Sequence, residues 1–305
     1  MIYTLTLNPA VDYVMDIAGV IPGKVNRSSG ESYTVGGKGI NVSVVLSRLG
    51  ARTKALGFVA GFTGDAIVSG LDALGVEHDL VRLENGFSRI NVKIRTGKGE
   101  ETELNGCGPH ISREMTEELF RKLDAVKDGD TLVIAGSVPE SLPDDIYEII
   151  LSRLDSKGVC FAVDACGELL LRSLRFRPYV IKPNIHELGA LFSADIKSME
   201  EVERYARALK ENGAANVLVS MGADGAFLLD EYGKTHKCGV CKGKAVNAVG
   251  SGDSMLAGFL YAAESGDYAH ALRLGTAAGG ATAFSEGLAE REDIYRLLSQ
   301  LEQTM

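Results

Sequence analysis

The residues of this chain best suited to chemistry sit in two glycine-rich segments. In the later one, Asn247-Ala-Val-Gly250-Ser251-Gly252-Asp253-Ser254-Met255 runs directly into the apolar stretch 256–261. The amides of Gly250, Ser251 and Gly252 would therefore open a helix and form a nest for negative charge. Asp253 puts a carboxylate where an anion is also expected, and like charges repel. A loop with only a structural task has little reason to arrange this, whereas phosphoryl transfer does. The nest stabilises charge on the moving phosphate while Asp253 accepts the proton of the attacking hydroxyl. The helix end is expected to depress the pKa of this carboxylate. The plainer alternative is a carboxylate that only caps the helix.

The earlier segment is Gly36-Gly37-Lys38-Gly39-Ile40-Asn41, at the end of an irregular stretch and the start of a helical pattern. Glycines let backbone N–H groups approach a ligand closely, the helix end adds partial positive charge and Lys38 adds a full one. An anion or a polyol suits such a site; a simple turn before a helix is the alternative. The spacing does not match the P-loop.

These segments need elements to position them. Period-2 apolar runs at 2–7, 54–59, 131–135, 159–163, 179–181 and 217–220 predict strands. Between most of them, 3.6-residue periodicity predicts helices over 41–49, 66–74, 113–126, 145–154 and 201–210. Ser112 and the pair Ser198 and Glu201 supply helix-start signals, the second with capping-box spacing. Three further helices, at 254–263, 269–284 and 290–301, fill the C-terminal third. Alternating strands and helices predict right-handed crossovers and a mainly parallel sheet covered on both faces. Residues 10–35 and 87–106 break this rhythm: they read as strands without helices, with alternation over 89–95 and a turn at Thr96-Gly-Lys-Gly99. A small separate sheet carrying Ile90, Val92 and Ile94 on one face has too little mass to cover them, so it should pack on something else, as a lid over a ligand or a dimer contact.

Composition narrows the function classes. The 305 residues are 45% hydrophobic and 24% charged, which predicts a globular chain with a sizeable core. A net charge of −9 speaks against nucleic acid, which calls for a basic face. No apolar stretch predicts a signal peptide or membrane span, so the expected location is cytoplasmic. Five cysteines without an export signal are expected to stay reduced. Cys238-Gly-Val-Cys241 has half the spacing of a zinc site, but no second pair completes it, and two incidental thiols is the preferred reading.

Taken together and in this order, Gly36 to Asn41 and Gly250 to Asp253 resemble the paired signatures of the ribokinase-like (PfkB) carbohydrate kinases. The resemblance runs along essentially the whole chain. Thr6-Leu-Asn-Pro-Ala-Val-Asp12 is similar to the family's first strand and substrate-contacting Asp, Lys182-Pro-Asn-Ile-His-Glu187 to its Asn-x-x-Glu element, and Ser220-Met-Gly222-Ala-Asp-Gly225 to its nucleotide loop. Ser88-Arg89-Ile-Asn-Val-Lys93 and the Gly136-Ser137-Val-Pro139 turn look like the branch that phosphorylates ketohexose phosphates at the expense of ATP. Ala248 departs from the family pattern, where Thr is usual.

The resemblance implies a three-layer α/β/α sandwich formed as one domain over 1–305, with a discontinuous β-lid from about 10–35 and 87–106. It implies a Mg²⁺-requiring, ATP-dependent kinase acting on D-fructose 1-phosphate, with tagatose 6-phosphate or fructose 6-phosphate as alternative substrates. Asp253 would be the base, with Gly250, Ser251 and Gly252 as the anion nest. Asp12, Arg27, Gly37, Lys38, Asn41, Arg89 and Ser137 would hold the sugar phosphate. Lys182, Asn184, Ser220, Gly222, Gly225, Gly252 and Ser285 would face the nucleotide. Glu187, and with it Asn184, would act on Mg²⁺ through water, which suits an ion that keeps several waters; a helix-capping pair is the competing reading. A homodimer through the lid is the expected assembly. A dinucleotide oxidoreductase lacks its G-x-G-x-x-G after the first strand. A non-catalytic sugar-phosphate sensor would have no need of Asp253.

Overall fold

A computed structural model describes residues 1–97 and 100–303. Nine strands form the main sheet: β1 (Ile2–Thr6), β4 (Thr53–Ala60), β5 (Glu77–Leu83), β8 (Thr131–Ala135), β9 (Cys160–Asp164), β10 (Val180–Ile181), β11 (Asn216–Ser220), β12 (Ala226–Leu229) and β13 (Thr235–Cys238). Their order is β13-β12-β11-β10-β9-β8-β1-β4-β5. Every pairing from β5 across to β11 is parallel, and β12 and β13 close one edge as an antiparallel hairpin.

Both faces of this sheet are covered, which is why its inner strands read as apolar runs while the edge strands β5 and β13 do not. Leu132 and Ile134 of β8 enter one core with α3 (Arg113–Leu123), α4 (Ile146–Leu154), α5 (Gly167–Ser173), α6 (Ile185–Leu191) and α7 (Met199–Glu211). Val133 and Ala135 enter the other, with α1 (Lys38–Leu49), α8 (Ser251–Ala263), α9 (Tyr268–Ala283) and α10 (Arg291–Glu302). A third cluster joins α1 and α2 (Gly61–Ala73) to β4 and to Val11. Helices α8 and α9 touch backbone to backbone, since a Cβ on Gly258 would stand 2.8 Å from the Leu274 carbonyl and one on Gly275 2.8 Å from that of Met255. That contact fixes the helix whose first turn carries Asp253.

The second sheet is β2 (Ala10–Ile17), β3 (Gly30–Gly36), β6 (Arg89–Thr96) and β7 (Glu101–Asn105), ordered β3-β2-β6-β7. All of it but Gly36 lies within the segments 10–35 and 87–106 that were expected to form strands without helices; Lys98 and Gly99 of the expected turn lie outside the described residues. Its register sorts the side chains. Asp12, Asn91 and Asn105 lie in one cross-strand row, and Val14, Lys93 and Glu103 in the next row on the same face. Val11, Tyr13 and Met15 align with Ile90, Val92 and Ile94 on the opposite face.

Helix α5 was not anticipated from sequence, and neither were two features of the main sheet. Strand β5 is the sheet edge and carries Glu77, His78, Asp79 and Arg82, so it lacks an apolar run. The β12 and β13 hairpin is only four residues per strand. At α7 the capping box is half formed: Ser198 Oγ accepts from Glu201 N at 3.3 Å, while the Glu201 carboxylate bonds Lys197 N at 2.8 Å. No helix among the described residues is long and apolar enough to cross a membrane.

Candidate active site

A cavity of about 490 Å³ opens beside the carboxyl ends of β1, β8, β9 and β11, bounded by the polar face of the second sheet and the first turns of α1, α6 and α8. Ligands of open parallel sheets bind at such strand ends. The end of β1 sets the start of α1, because Thr6 Oγ1 accepts from Ile40 N at 3.1 Å. Gly37, with φ at 128°, makes the turn between β3 and α1, and a Cβ there would stand 2.7 Å from Thr6 Cγ2.

Asp253 lies in the first turn of α8 and is 6% exposed. Its Oδ2 accepts from Asn41 Nδ2 at 2.8 Å. Burial, reinforced by the nearby charge of Asp164, pushes its pKa up to about 6, against the opposing effects of the Asn41 hydrogen bond and the Lys182 and Lys38 ammoniums. This reverses the expected depression. The helix end is present, but desolvation of a buried carboxylate outweighs it. The N-cap is Gly250, whose φ of 78° is left-handed, and Gly250 and Gly252 face the cavity.

Asp164, at the end of β9, is the residue that sequence reading missed. It is 1% exposed, accepts from Lys38 Nζ at 2.9 Å and stands 3.2 Å from Lys182 Nζ. Burial works to raise its pKa, but the ammoniums of Lys182 and Lys38 prevail and hold it below the usual value. Lys38 is driven the other way: the Asp164 carboxylate raises its pKa despite burial. Lys182 also approaches α8, since a Cβ on Gly252 would be 3.0 Å from its Nζ. The signal for Asp164 was available, as an acidic residue directly after an apolar strand in a parallel sheet.

On the side of the second sheet, Asn91 Nδ2 donates to Asp12 Oδ1 at 2.8 Å, and Arg89 Nε donates to the Asn8 carbonyl at 3.0 Å. Burial lowers the pKa of Arg89 from its ordinary value. Lys93, 5% exposed, also lines the cavity and was not singled out from sequence as a site residue.

Asn184 and Glu187 form a complete capping box on α6: Asn184 Oδ1 accepts from Glu187 N at 2.8 Å and Glu187 Oε2 from Asn184 N at 2.8 Å. The thiol of Cys166 donates to Glu187 Oε1 at 2.9 Å, and burial together with this bond pushes it up to about 11. The capping role is thus present, and both residues still line the cavity. Among the described residues no three His, Cys, Asp or Glu side chains cluster to cage a metal.

Of the residues expected at the site, Asp12, Gly37, Lys38, Asn41, Arg89, Ser137, Lys182, Asn184, Glu187, Ser220, Gly250, Gly252 and Asp253 line this one cavity. Others do not. Arg27 is exposed in the connection between β2 and β3. Ser251 turns its N–H to the Ala248 carbonyl at 3.2 Å, so its amide is engaged outside the expected nest. Gly222 and Gly225 flank the tight turn into β12, where a Cβ on Gly225 would stand 2.1 Å from the Cys238 carbonyl. Ser285 Oγ bonds back to the Ala281 carbonyl at 2.8 Å, at the end of α9. Cys238 and Cys241 are free and buried, away from the cavity lining.

Comparison with known proteins adds to this geometry. Residues 5–294 match the model of the pfkB family carbohydrate kinases. The chain is 44% identical over 305 residues to 1-phosphofructokinase of Bacillus subtilis (strain 168), covering 100% of this chain and 99% of that one. It is 40% identical over 306 residues to D-tagatose-1-phosphate kinase of Bacillus licheniformis, with 100% and 99% covered. Phosphofructokinase-2 from Escherichia coli, solved in complex with substrates and products, superposes with a TM-score of 0.92 at 28% identity, with 99% of each chain covered.

Proposed function

The chain belongs to the pfkB family of carbohydrate kinases, and we propose that it transfers the γ-phosphoryl group of ATP to D-fructose 1-phosphate, giving D-fructose 1,6-bisphosphate and ADP. One observation carries this reading: Asp253, a buried carboxylate with a raised pKa, stands at the helix end that would hold the moving phosphate, within a cavity lined by Lys38, Lys182, Arg89 and Lys93. The free sugar hydroxyl attacks the γ-phosphorus, an O–P bond forms as the bond to the β,γ-bridging oxygen breaks, and the hydroxyl proton passes to Asp253. A base with a pKa near 6 is better matched to this task than an ordinary carboxylate. Charge developing on the phosphoryl oxygens would face the α8 first turn at Gly252 and the two ammoniums held by Asp164. A sensor gains nothing from burying such a carboxylate, whose ionisation is costly.

Asp12, Asn41 and Ser137 would bind sugar hydroxyls, and Arg89 the phosphate. The triphosphate would lie along Lys182, Asn184 and Ser220, with the base beyond, toward Gly222, Gly225 and Ser285. A Mg²⁺ ion carried by the nucleotide suits Glu187, which offers one carboxylate to the ion's waters rather than a protein cage. When bound, the ion would neutralise phosphate charge. The apolar lid face supports a homodimer.

A second substrate has support in the relatives named D-tagatose-1-phosphate kinase. Tagatose and fructose differ only in configuration at C4, so one site accommodates either. ADP release measured across fructose 1-phosphate, fructose 6-phosphate, tagatose 1-phosphate, tagatose 6-phosphate and free fructose decides among them. The highest kcat/KM is expected with fructose 1-phosphate. No turnover on any sugar phosphate would overturn the reading.

A further inference from the structure

Among the described residues, four cationic side chains line the cavity: Lys38, Arg89, Lys93 and Lys182. Three are already held at close range, with Lys38 2.9 Å and Lys182 3.2 Å from Asp164, and Arg89 3.0 Å from the Asn8 carbonyl. Lys93 differs. Its Nζ has Asp12 Oδ2 at 3.9 Å and Glu103 Oε1 at 3.8 Å, both beyond hydrogen-bond reach, although the side chain is only 7% exposed. The buried stem thus ends in an ammonium that opens on the cavity without a hydrogen-bond partner among the described residues, and an anionic ligand would supply charge-assisted bonds to it.

Position adds a second argument. Arg89 and Lys93 lie on the same face of β6 with Asn91 between them. Four residues along a strand span about 13 Å, a distance that two long side chains close over a single phosphate. Lys93 also borders a neighbouring cavity of about 520 Å³, which shares Asp12, Asn41 and Val249 with the first, so there is room at this end of the site.

We propose that Lys93 binds the phosphate already present on the sugar, as the second cation of a clamp with Arg89, and thereby selects phosphorylated over free ketohexoses. The proposal rests on the sugar-phosphate kinase reading above. The competing role is structural: Lys93 would serve only to orient the Asp12 carboxylate.

Steady-state kinetics on Lys93→Met separate the two. With the best sugar phosphate of the panel as substrate, loss of a phosphate contact is expected to raise its KM at least 10-fold, leaving kcat within about threefold and the KM for ATP unchanged. Lys93→Arg should recover part of the loss. If Lys93 only positions Asp12, kcat falls and the sugar-phosphate KM stays, which overturns the proposal, as does no change in either constant. Should Lys93→Met fail to fold by circular dichroism, Lys93→Gln, which keeps a hydrogen-bond donor beside Asp12, is read in the same way. Wild-type protein inactive on every sugar phosphate overturns the functional reading itself; active wild type with an unaltered KM in the variant overturns the Lys93 assignment alone.

Discussion

The side-chain amide of Asn41 donates to Oδ2 of Asp253 at 2.8 Å, joining two residues 212 positions apart in sequence. This bond ties the first turn of α1 to that of α8, so the two glycine-rich segments meet at one carboxylate. One oxygen of Asp253 is held, and the other is left for a proton.

Replacing that carboxylate tests its role directly. Asp253→Asn is expected to keep the fold and nucleotide affinity while lowering kcat at least about 100-fold, the low end for losing a positioned base. Turnover by the folded variant close to that of wild type would remove Asp253 from the chemistry.

The raised pKa sets the pH dependence. Asp253 must be ionised to accept a proton, so kcat/KM should fall on the acid side with an apparent pKa of about 6. Asn41→Ala removes a donor that favours the ionised form, so the acid limb should move to higher pH. Stability has the opposite sense. A carboxylate whose folded pKa exceeds its unfolded one favours folding at low pH, and this is lost as pH rises through about 6. Asp253→Asn should therefore raise Tm at pH 8 and change it little at pH 4; an acid limb unmoved by Asn41→Ala would contradict this account.

Asp164 carries the reverse sign. Its folded pKa lies below the ordinary value, so its contribution is present above the unfolded pKa and lost as pH falls through the folded one. Asp164→Asn leaves Lys182, 5% exposed at its side chain, without its buried partner. Removing one member of such a pair costs about 3–5 kcal/mol. Urea unfolding at pH 7 should show that loss, with the gap to wild type narrowing below about pH 4, near the ordinary carboxylate pKa. Equal stabilities at pH 7 would mean that the pair contributes nothing.

Much of this site was legible because local chemistry and position agree. Gly36 to Asn41 and Gly250 to Asp253 each combine glycine with a charged residue at a helix start, and helix starts are written in local sequence. The pairing of Lys38 with Asp164 was not legible, because it joins residues 126 positions apart and depends on β1 and β9 both flanking β8 in the sheet. The orientation of Ser251, which does not line the cavity, was not legible for a different reason. Sequence marks a nest but not which N–H is turned inward, and here that of Ser251 bonds Ala248. Arg27 belongs to a connection with no periodicity, so nothing fixed its direction. The second sheet was legible because residues 89–95 alternate; β5 was not, because an exposed edge strand carries charges.

Arg89 is expected to hold the substrate phosphate. A charge-assisted hydrogen bond of roughly 1.5–3 kcal/mol implies that Arg89→Ala weakens sugar-phosphate binding about 10- to 150-fold. The ATP KM should barely change. Arg89→Lys should recover only part, since an ammonium keeps the charge without the fork. An unchanged sugar-phosphate KM in Arg89→Ala would place the residue outside the site.

The apolar face of the lid gives the assembly prediction. Tyr33 and Leu104 on that face are 63% and 57% exposed, and Val25, in the connection between β2 and β3, is 84% exposed. Between the two lid strands, Tyr13, Met15, Val92 and Ile94 are only half-buried within one chain. A contiguous apolar surface of this kind on a protein in water marks an interaction site. A second copy of the lid offers the matching surface, because a twofold contact uses the same patch on both partners. The polar face with Asp12, Asn91 and Lys93 would remain turned to the cavity, so dimerisation would hold the lid without blocking the site. Sedimentation velocity at micromolar concentration is expected to show a dimer. Tyr33→Glu together with Leu104→Glu puts two charges into the contact and should yield monomer. Because the lid supplies Asp12 and Arg89, the monomer should also show a raised sugar-phosphate KM with little change for ATP. Wild-type protein that sediments as a monomer with and without ligand would remove the lid from any interface.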